Sequence, residues 1–161
     1  MTVQIRISSV AQIDPLRLYD LLRLRVDVFV VEQECAYPEL DGRDVEPDAV
    51  MLWAEEDDEV LATVRLLVDH ADGGDDDSVD DGGDDALRIG RVATAPAARG
   101  RGLAADLMRL ALERADGRLV RLDAQAHLEG WYARFGFAVD GPGFLEDGIP
   151  HVPMSRAATS R

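Results

Sequence analysis

The stretch that most constrains the fold of this chain is residues 87–108, with the sequence LRIGRVATAPAARGRGLAADLM. Its apolar start is typical of a strand, Pro96 ends that run, and Arg-Gly-Arg-Gly follows at residues 99–102. From Leu103 onward, apolar residues recur three and four positions apart, which predicts a helix. The free N–H groups and the dipole at such a helix start favour phosphate binding. The stretch therefore predicts a phosphate-binding turn.

The spacing of this turn excludes two common nucleotide motifs. No Gly-Lys-Ser/Thr closes it as in a P-loop, and Gly100 and Gly102 alone do not complete the dinucleotide pattern G-x-G-x-x-G. On this stretch alone, a glycine-rich turn that merely joins a strand to a helix is an equal alternative.

Composition narrows the classes of partner. The net charge of −15 argues against nucleic acid and anionic membranes. No apolar run approaches the ~20 residues of a membrane span, and the start of the chain does not resemble a signal peptide. The single Cys35 excludes an intrachain disulfide and a cysteine-rich metal site. We therefore expect a cytoplasmic protein with no metal.

Periodicity predicts a mixed α/β (α+β) fold whose central sheet has about seven strands flanked by helices. The predicted helices span residues 15–31, 102–116 and 125–136, and residues 32–48 and 140–148 are predicted to be a long loop and a turn-rich connection. The predicted strands are residues 3–9, 51–54, 60–68, 87–93, 119–124, 137–139 and 149–154.

The chain is predicted to form one domain over residues 1–156, interrupted by an Asp-rich insertion. Residues 69–85 contain nine Asp and four Gly, a composition that favours disorder because it buries little apolar surface. A calcium loop is the alternative, but the spacing and the closing Glu of an EF-hand are missing. Residues 157–161 are predicted to be a frayed tail.

Two motifs together resemble a known family. Residues 99–104 contain Arg99-x-x-Gly102-x-Ala104, and residues 132–137 read YARFGF, with a predicted strand between them. This pair is similar to the signature of the GNAT N-acetyltransferases. Segments such as FVVEQ at residues 29–33 and EDGIPH at residues 146–151 resemble the ElaA-like branch of that family. The resemblance covers nearly the whole chain except the Asp-rich insertion and the tail.

The resemblance implies the GNAT acyl-CoA N-acyltransferase fold and transfer of an acetyl group from acetyl-CoA to a primary amine. It implies that Tyr132 gives a proton to the departing CoA thiolate, although a buried core tyrosine is the alternative. Gln125 takes the place of an Asn that many members use to contact the cofactor. The implied cofactor-binding residues are Val92, Ala93, Thr94, Arg99, Gly100, Arg101, Gly102, Leu103, Ala104 and Gln125.

The acceptor amine must lose a proton before it attacks, because an ammonium group has no lone pair. The candidate bases are His127, Glu32, Glu34 and His151. His127 is predicted to be the base, since a helix start keeps imidazole neutral, and His151 of the last strand is the runner-up; a helix-capping or core histidine is the alternative for His127. Glu32, Glu34 and His151 are predicted to contact the acceptor. The acids of residues 32–48 suit a cationic acceptor, or they form a solvated face.

Arg25 and Arg65 interrupt apolar stretches, so each is predicted to pair with a buried carboxylate. Two functional alternatives stay open beside acetyl transfer. One is an acyl-CoA-binding module without catalysis, and the other is a transferase with a larger acyl donor. The expected partner is a small-molecule or peptide amine, and the expected state is a monomer or homodimer.

Overall fold

Eight strands form one mixed sheet in the computed structural model, which describes residues 2–69 and 85–159. The sheet order is β1-β2-β3-β4-β5-β8-β6, with β7 paired to β8, and only β4 and β5 are parallel. The mixed α/β sheet predicted from the sequence is confirmed. The strands are β1 (Gln4–Ser8), β2 (Val50–Glu56), β3 (Glu59–Asp69), β4 (Ala86–Thr94), β5 (Val120–Gln125), β6 (Ala138–Val139), β7 (Phe144–Glu146) and β8 (Ile149–Arg156).

The eighth strand corrects the predicted count of seven. β7 lies inside residues 140–148, and Phe144 pairs with His151 of β8. Asp147 and Gly148 close the hairpin with φ of 50° and 79°, and Asp-Gly favours such two-residue turns because both residues tolerate left-handed backbone. The strand itself is short and exposed, so it carries no apolar alternation that would predict it.

Three α-helices flank the sheet in the described residues: α1 (Pro15–Val26), α2 (Leu103–Ala115) and α3 (Glu129–Ala133). α1 starts as predicted because the Asp14 carboxylate accepts the Arg17 N–H at 3.2 Å and Pro15 takes the first helical position. A π-helical segment, Asp27–Glu32, continues α1 to the predicted end of the helix. The predicted helix at residues 125–136 is shorter, because a 3₁₀ turn, Ala126–Leu128, precedes α3.

The two longer helices cover opposite faces of the sheet, as alternate residues of β2 demonstrate. Leu52 belongs to the main core cluster together with Leu107 of α2. Met51 and Trp53 pack instead with Leu21 of α1. Because successive side chains of a strand point to opposite faces, this alternation buries β2 on both sides.

The predicted insertion and tail have different boundaries in the structure. β3 continues through Asp69, whose Oδ2 accepts the Arg88 Nε–H at 3.1 Å, and residues 70–84 lie outside the described part of the chain. The tail was predicted to fray from residue 157, but the Thr159 N–H donates to the Gly117 carbonyl at 2.9 Å. No helix of the described ranges has the length and apolar character needed to cross a bilayer.

Candidate functional site

The cleft that divides the sheet begins where β4 and β5 separate. Within the described residues, the two strands share only the pairs Leu87–Val120 and Arg88–Arg121. Beyond them the strands diverge, and a cleft of about 750 Å³ opens, lined by β4, the glycine-rich turn, the start of α2, β5 and α3. No neighbouring strand in the described part of the chain therefore pairs with the β4 backbone groups that face the cleft.

The glycine-rich turn forms one end of the cleft. Gly100 and Gly102 have φ of 85° and 76°, a left-handed conformation that only glycine adopts without steric cost. Gly102 precedes α2, so the first N–H groups of that helix lie at the cleft wall. Gly100, Gly102, Leu103 and Ala104 line the cleft, as the sequence predicts. This wall offers N–H donors and helix-dipole charge to an anion.

The two arginines of the turn have different surroundings. Arg99 lines the cleft, and its two terminal nitrogens donate to both carboxylate oxygens of Glu32 at 2.7 Å. This hydrogen-bonded pair holds the pKa of Glu32 below its usual value. Arg101 instead pairs with Glu56 at 3.0 Å and is not among the described residues that line the cleft. Of these two arginines, Arg99 is the one that lines the cleft.

The middle of the cleft is bordered by the carboxyl-terminal half of β4. Val92, Ala93 and Thr94 all line it. The β3–β4 register shifts between Thr63 and Arg65, which marks a bulge in this half of the strand. The predicted donor-contacting strand residues therefore lie together in the cleft, beside an irregularity that re-aims their backbone groups.

Tyr132 faces the same cleft from α3, and its side chain packs in an aromatic cluster. The residue is 7% exposed, and its ring lies edge-on to Trp131 at 4.9 Å and to Phe137 at 6.4 Å. Burial raises the pKa of its hydroxyl to about 12, so the group is protonated at neutral pH. The described residues include no hydrogen-bond partner for this hydroxyl, which leaves its proton available to a ligand in the cleft.

Gln125, predicted to begin a helix and to contact the cofactor, ends β5 and lines the cleft. Its Nε2 donates to the Gln33 Oε1 at 3.2 Å. Gln33 follows the π-helical segment of α1, so this amide pair spans the cleft between two distant parts of the chain. If Gln125 contacts a cofactor, its side-chain amide therefore has to hydrogen-bond both the cofactor and Gln33.

The predicted base and acceptor residues do not come together. His127 is exposed in the 3₁₀ turn before α3, and it is not among the described residues that line the cleft. Glu34 is also exposed, with a left-handed φ of 54°. His151 does line the cleft, because β8 pairs with β5 and places His151 opposite Gln125.

The His151 ring is held in one orientation. Its Nδ1 lies 2.7 Å from the Ile149 carbonyl oxygen, and the ring stacks on Phe144 at 5.7 Å. A carbonyl oxygen can only accept, so Nδ1 carries the proton and Nε2 keeps a lone pair. Nε2 lies 3.8 Å from a carboxylate oxygen of Glu146. This tautomer suits a proton acceptor.

Residues 32–48 contain buried ion pairs where a solvated or substrate-facing acidic surface was predicted. Arg25 is 1% exposed and donates to Glu39 at 2.8 Å and to Asp44 at 2.6 Å. Arg65 donates to Asp41 at 2.9 Å and to Asp44 at 3.3 Å. The predicted pairing of both arginines is confirmed. The carboxylates of Glu39 and Asp44 are buried in these ion pairs, so the prediction that they attract an acceptor is wrong.

Opposing influences act on the pKa values of this ion-pair network. Burial disfavours the charge of Arg25, but the hydrogen bonds that Arg25 donates to Asp44 and Glu39 outweigh it and raise the pKa of Arg25. Burial likewise opposes ionisation of Asp41, yet hydrogen bonds from Arg65 and the Arg43 N–H lower the pKa of Asp41 to about 2. Both shifts favour the charged forms of Arg25 and Asp41.

Several residues at the cleft were not predicted from the sequence. Arg134 lies inside the YARFGF motif, but that motif indicated only its tyrosine and its glycine as candidate functional residues. The others lie in the π-helical segment, the long loop, the bulge or α3, and none of them was predicted to have a role in the site. Lining residues missed in this way are Phe29, Gln33, Cys35, Tyr37, Arg91, Trp131 and Arg134. Within the described ranges, no cluster of three or more His, Cys, Asp or Glu side chains could hold a metal ion.

Comparison with known proteins identifies the family. A model of the acetyltransferase (GNAT) domain matches residues 23–158. A UPF0039 protein of Mycobacterium tuberculosis is 45% identical over 162 residues, which cover 100% of this chain and 97% of the relative. Protein ElaA of Escherichia coli is 39% identical over 144 residues, 87% of each chain. The crystal structure of an acyl-CoA N-acyltransferase from Pseudomonas aeruginosa has a TM-score of 0.81 and 41% identity, covering 97% of this chain and 100% of that one. This chain belongs to the GNAT acetyltransferase family and has ElaA among its relatives.

Proposed function

We propose that this protein is an N-acetyltransferase that moves an acetyl group from acetyl-CoA to a primary amine. The observation that carries the proposal is the buried, protonated Tyr132 hydroxyl in a cleft whose other walls are the start of α2 and the unpaired side of β4. Membership of the GNAT family makes the protein an acyl-CoA-dependent N-acyltransferase. The acetyl group, the amine and the roles of individual residues belong to the proposal.

The donor end of the cleft fits coenzyme A. The N–H groups at the start of α2 and the Arg99 guanidinium would hold the pyrophosphate, with Arg99 exchanging Glu32 for it. The backbone of Val92, Ala93 and Thr94 would pair with the pantetheine arm and donate to the thioester carbonyl, which acetyl-CoA supplies. Because Arg101 is paired with Glu56 outside the cleft, we leave it out of the binding set.

The wall behind this part of β4 favours a short acyl group. Leu24, Val28 and Ala93 form one buried cluster, and Phe29 packs against it. These side chains fill the space beside the bulge, so a long acyl chain would have to displace them. Acetyl is therefore the proposed group.

Two proton transfers complete the proposed reaction. The amine nitrogen forms a bond to the acyl carbon, the bond from carbon to sulfur breaks, and Tyr132 gives its proton to the leaving thiolate. The amine loses a proton, for which we propose His151 Nε2 in place of the predicted His127, because His151 lines the cleft and His127 does not. Gln125 would orient the donor through its amide.

The acceptor in this proposal is a small-molecule or peptide amine. The net charge of −15 disfavours nucleic acid as a partner. A cytoplasmic location is also part of the proposal, since Cys35 is a buried free thiol, which suits a reducing compartment.

Tyr132→Phe tests the proposed general acid. The substitution removes the hydroxyl and keeps the ring that packs on Trp131, so the fold and coenzyme A affinity should be retained. We expect kcat for acetyl transfer to fall by about 10²-fold or more, as for loss of a general acid. Thiol release with a panel of primary amines measures turnover, and calorimetry with coenzyme A measures binding.

Tyr19→Phe is the matched control, because Tyr19 is 67% exposed on α1 and should leave kcat unchanged. If wild-type protein binds coenzyme A but transfers acyl groups to no amine, the protein is an acyl-CoA-binding module. If propionyl or longer donors react faster than acetyl-CoA, the donor is larger. Unchanged kcat in Tyr132→Phe would remove Tyr132 from the mechanism.

A further inference from the structure

Arg91 occupies a backbone position that normally calls for glycine. Between the pairs Thr63–Ala93 and Arg65–Gly90, β4 has two residues where β3 has one, and Arg91 is the first of the two. Its φ is 51°, in the left-handed region. In a bulge of this kind the left-handed residue is usually Gly, which pays no steric penalty there. Gly90, immediately before, does not adopt a positive φ.

The side chain of Arg91 is held by the loop of residues 32–48. Its Nη2 donates to the Glu39 carbonyl oxygen at 3.1 Å and to Asp41 Oδ2 at 3.3 Å. Its Nε lies 2.9 Å from Glu39 Oε2 as an ion pair without hydrogen-bond alignment. The guanidinium also lies over the Tyr37 ring, 5.6 Å from the centroid. Four separate contacts therefore fix this guanidinium.

The partners of Arg91 are themselves immobilised. Glu39 is 4% exposed and accepts a hydrogen bond from the buried Arg25 of α1. Asp41 accepts two hydrogen bonds, at 2.9 and 3.0 Å, from Arg65 of β3. The clamp on Arg91 is thus anchored to a helix on one face of the sheet and to the neighbouring strand.

We propose that Arg91 is a positioning residue whose clamped guanidinium holds the β4 bulge in its left-handed form and so aims the backbone of Val92–Thr94 at the acyl donor. The inference rests on the proposed donor position along β4. It goes further in giving the loop of residues 32–48 a part in donor alignment: Glu39 and Asp41 act on the donor through Arg91. A strained backbone conformation persists only when its surroundings over-determine it, and the four contacts supply that constraint.

A pair of substitutions at Arg91 separates positioning from simple stabilisation. Arg91→Ala removes the clamp but keeps a Cβ in the left-handed position, so the strained bulge should relax. Arg91→Gly also removes the clamp, but glycine adopts this φ freely. We expect Arg91→Ala to lower kcat/KM for the acyl donor by about 10²-fold, which is the loss expected when reacting groups are misplaced by about 1 Å. Arg91→Gly should recover several-fold of that loss when kcat/KM is expressed per folded molecule, because glycine keeps the left-handed bulge without steric strain.

A merely structural arginine would give a different order. Both variants would then lose stability, and kcat/KM per folded molecule would be the same in the two. That result overturns the proposal. Unchanged kcat/KM in both variants overturns it as well. Arg121→Ala, an exposed β5 arginine outside the cleft lining, is the control and should match wild type. If Arg91→Ala does not fold, Arg91→Lys replaces it, because an ammonium cannot keep the multi-point contact and should show a smaller loss of the same kind.

Hydrogen exchange separates this proposal from the proposed function. The amides of Val92 and Ala93 in ligand-free protein should exchange faster in Arg91→Ala than in Arg91→Gly and wild type. If wild-type protein neither binds coenzyme A nor transfers acyl groups, the proposed function fails, and this exchange order still tests the clamp. Equal exchange in all three proteins overturns the clamp whatever the activity.

Discussion

Two regions at the cleft are built in different ways. The first, which we call the donor end because our proposal gives it to coenzyme A, consists of the glycine-rich turn, the β4 backbone and α3, all within one continuous stretch between residues 87 and 137. The second, which we call the ion-pair loop, is the loop of residues 32–48, whose pairs with Arg25 and Arg91 join residues 14 and 52 positions apart. The donor end depends mainly on backbone conformation, whereas the ion-pair loop depends on side-chain charges brought together by folding.

This difference predicts two kinds of sensitivity. Three arginines (Arg25, Arg65 and Arg91) and three carboxylates (Glu39, Asp41 and Asp44) balance one another at the ion-pair loop. A buried charge is tolerated only while its partner is present, so loss of one member should destabilise the fold. At the donor end, a single substitution should alter coenzyme A binding more than the stability of the fold.

Arg25→Met should have the largest effect on stability. It leaves Glu39 and Asp44 buried without the cation that bridges them, and breaking a buried pair costs about 3–5 kcal/mol. The free energy of unfolding from urea titration measures this. Arg23→Met is the matched control on the same helix, because Arg23 and Asp27 are 69% and 57% exposed and their pair contributes at most about 1 kcal/mol. Equal effects of the two substitutions would contradict a stabilising role for the network.

Asp41→Asn should change how stability depends on pH. The pKa of Asp41 in the folded protein is about 2, below its ordinary value of 3.8. The lowered pKa contributes stability that is fully present above the unfolded value and is lost as pH falls through about 2. We therefore expect Asp41→Asn to be less stable than wild type at pH 7 and to lose less on acidification from pH 4 to pH 2. Urea titration at each pH measures the free energy of unfolding. An equal loss of that free energy from pH 4 to pH 2 in the two proteins would contradict this prediction.

Gly102→Ala tests the donor end through the backbone alone. No atom lies within 4 Å of the added Cβ, so its effect comes from the left-handed φ of 76°. The expected loss is about 1–2 kcal/mol of stability, with weaker coenzyme A binding measured by calorimetry. Gly130→Ala also has open space but no positive φ, and it lies in α3, so it should be neutral or stabilising by up to about 1 kcal/mol. A similar loss in both variants would contradict the requirement for glycine at residue 102.

Glu32→Gln should have the smallest effect, and its direction is informative. It frees Arg99 from its carboxylate partner, so coenzyme A should bind about two- to five-fold more tightly at low salt, with the gain reduced at high salt. Glu56→Gln frees Arg101 instead and should leave affinity unchanged, because Arg101 is outside the cleft lining. Weaker binding in Glu32→Gln would contradict competition for Arg99.

The donor end could largely be predicted because its determinants are local. The turn needs glycine at residues 100 and 102, and the YARFGF motif puts Tyr132 one strand later, so the order of residues already describes the wall of the cleft. Arg99 and Arg101 look equivalent in the sequence, and only the position of Glu56, which pairs with Arg101, distinguishes them.

The ion-pair loop could be predicted only in part. The apolar surroundings of Arg25 and Arg65 indicated carboxylate partners, but the loop contains seven acids and the sequence could not pair them. His127 was favoured over His151 because it begins a helix, yet the sheet pairing of β5 with β8 brings His151 to the cleft. Such pairing depends on which strands become neighbours, and that is a long-range property of the fold.

By itself, the sequence determined the mixed sheet, the glycine-rich turn at the start of α2 and the position of Tyr132, because each follows from periodicity or from backbone preferences of consecutive residues. Only the tertiary structure decided which carboxylates neutralise the arginines, which histidine faces the cleft and why an arginine occupies the left-handed position of the β4 bulge. Those outcomes depend on contacts between residues far apart in the chain, whose energies exist only once the sheet has assembled around them.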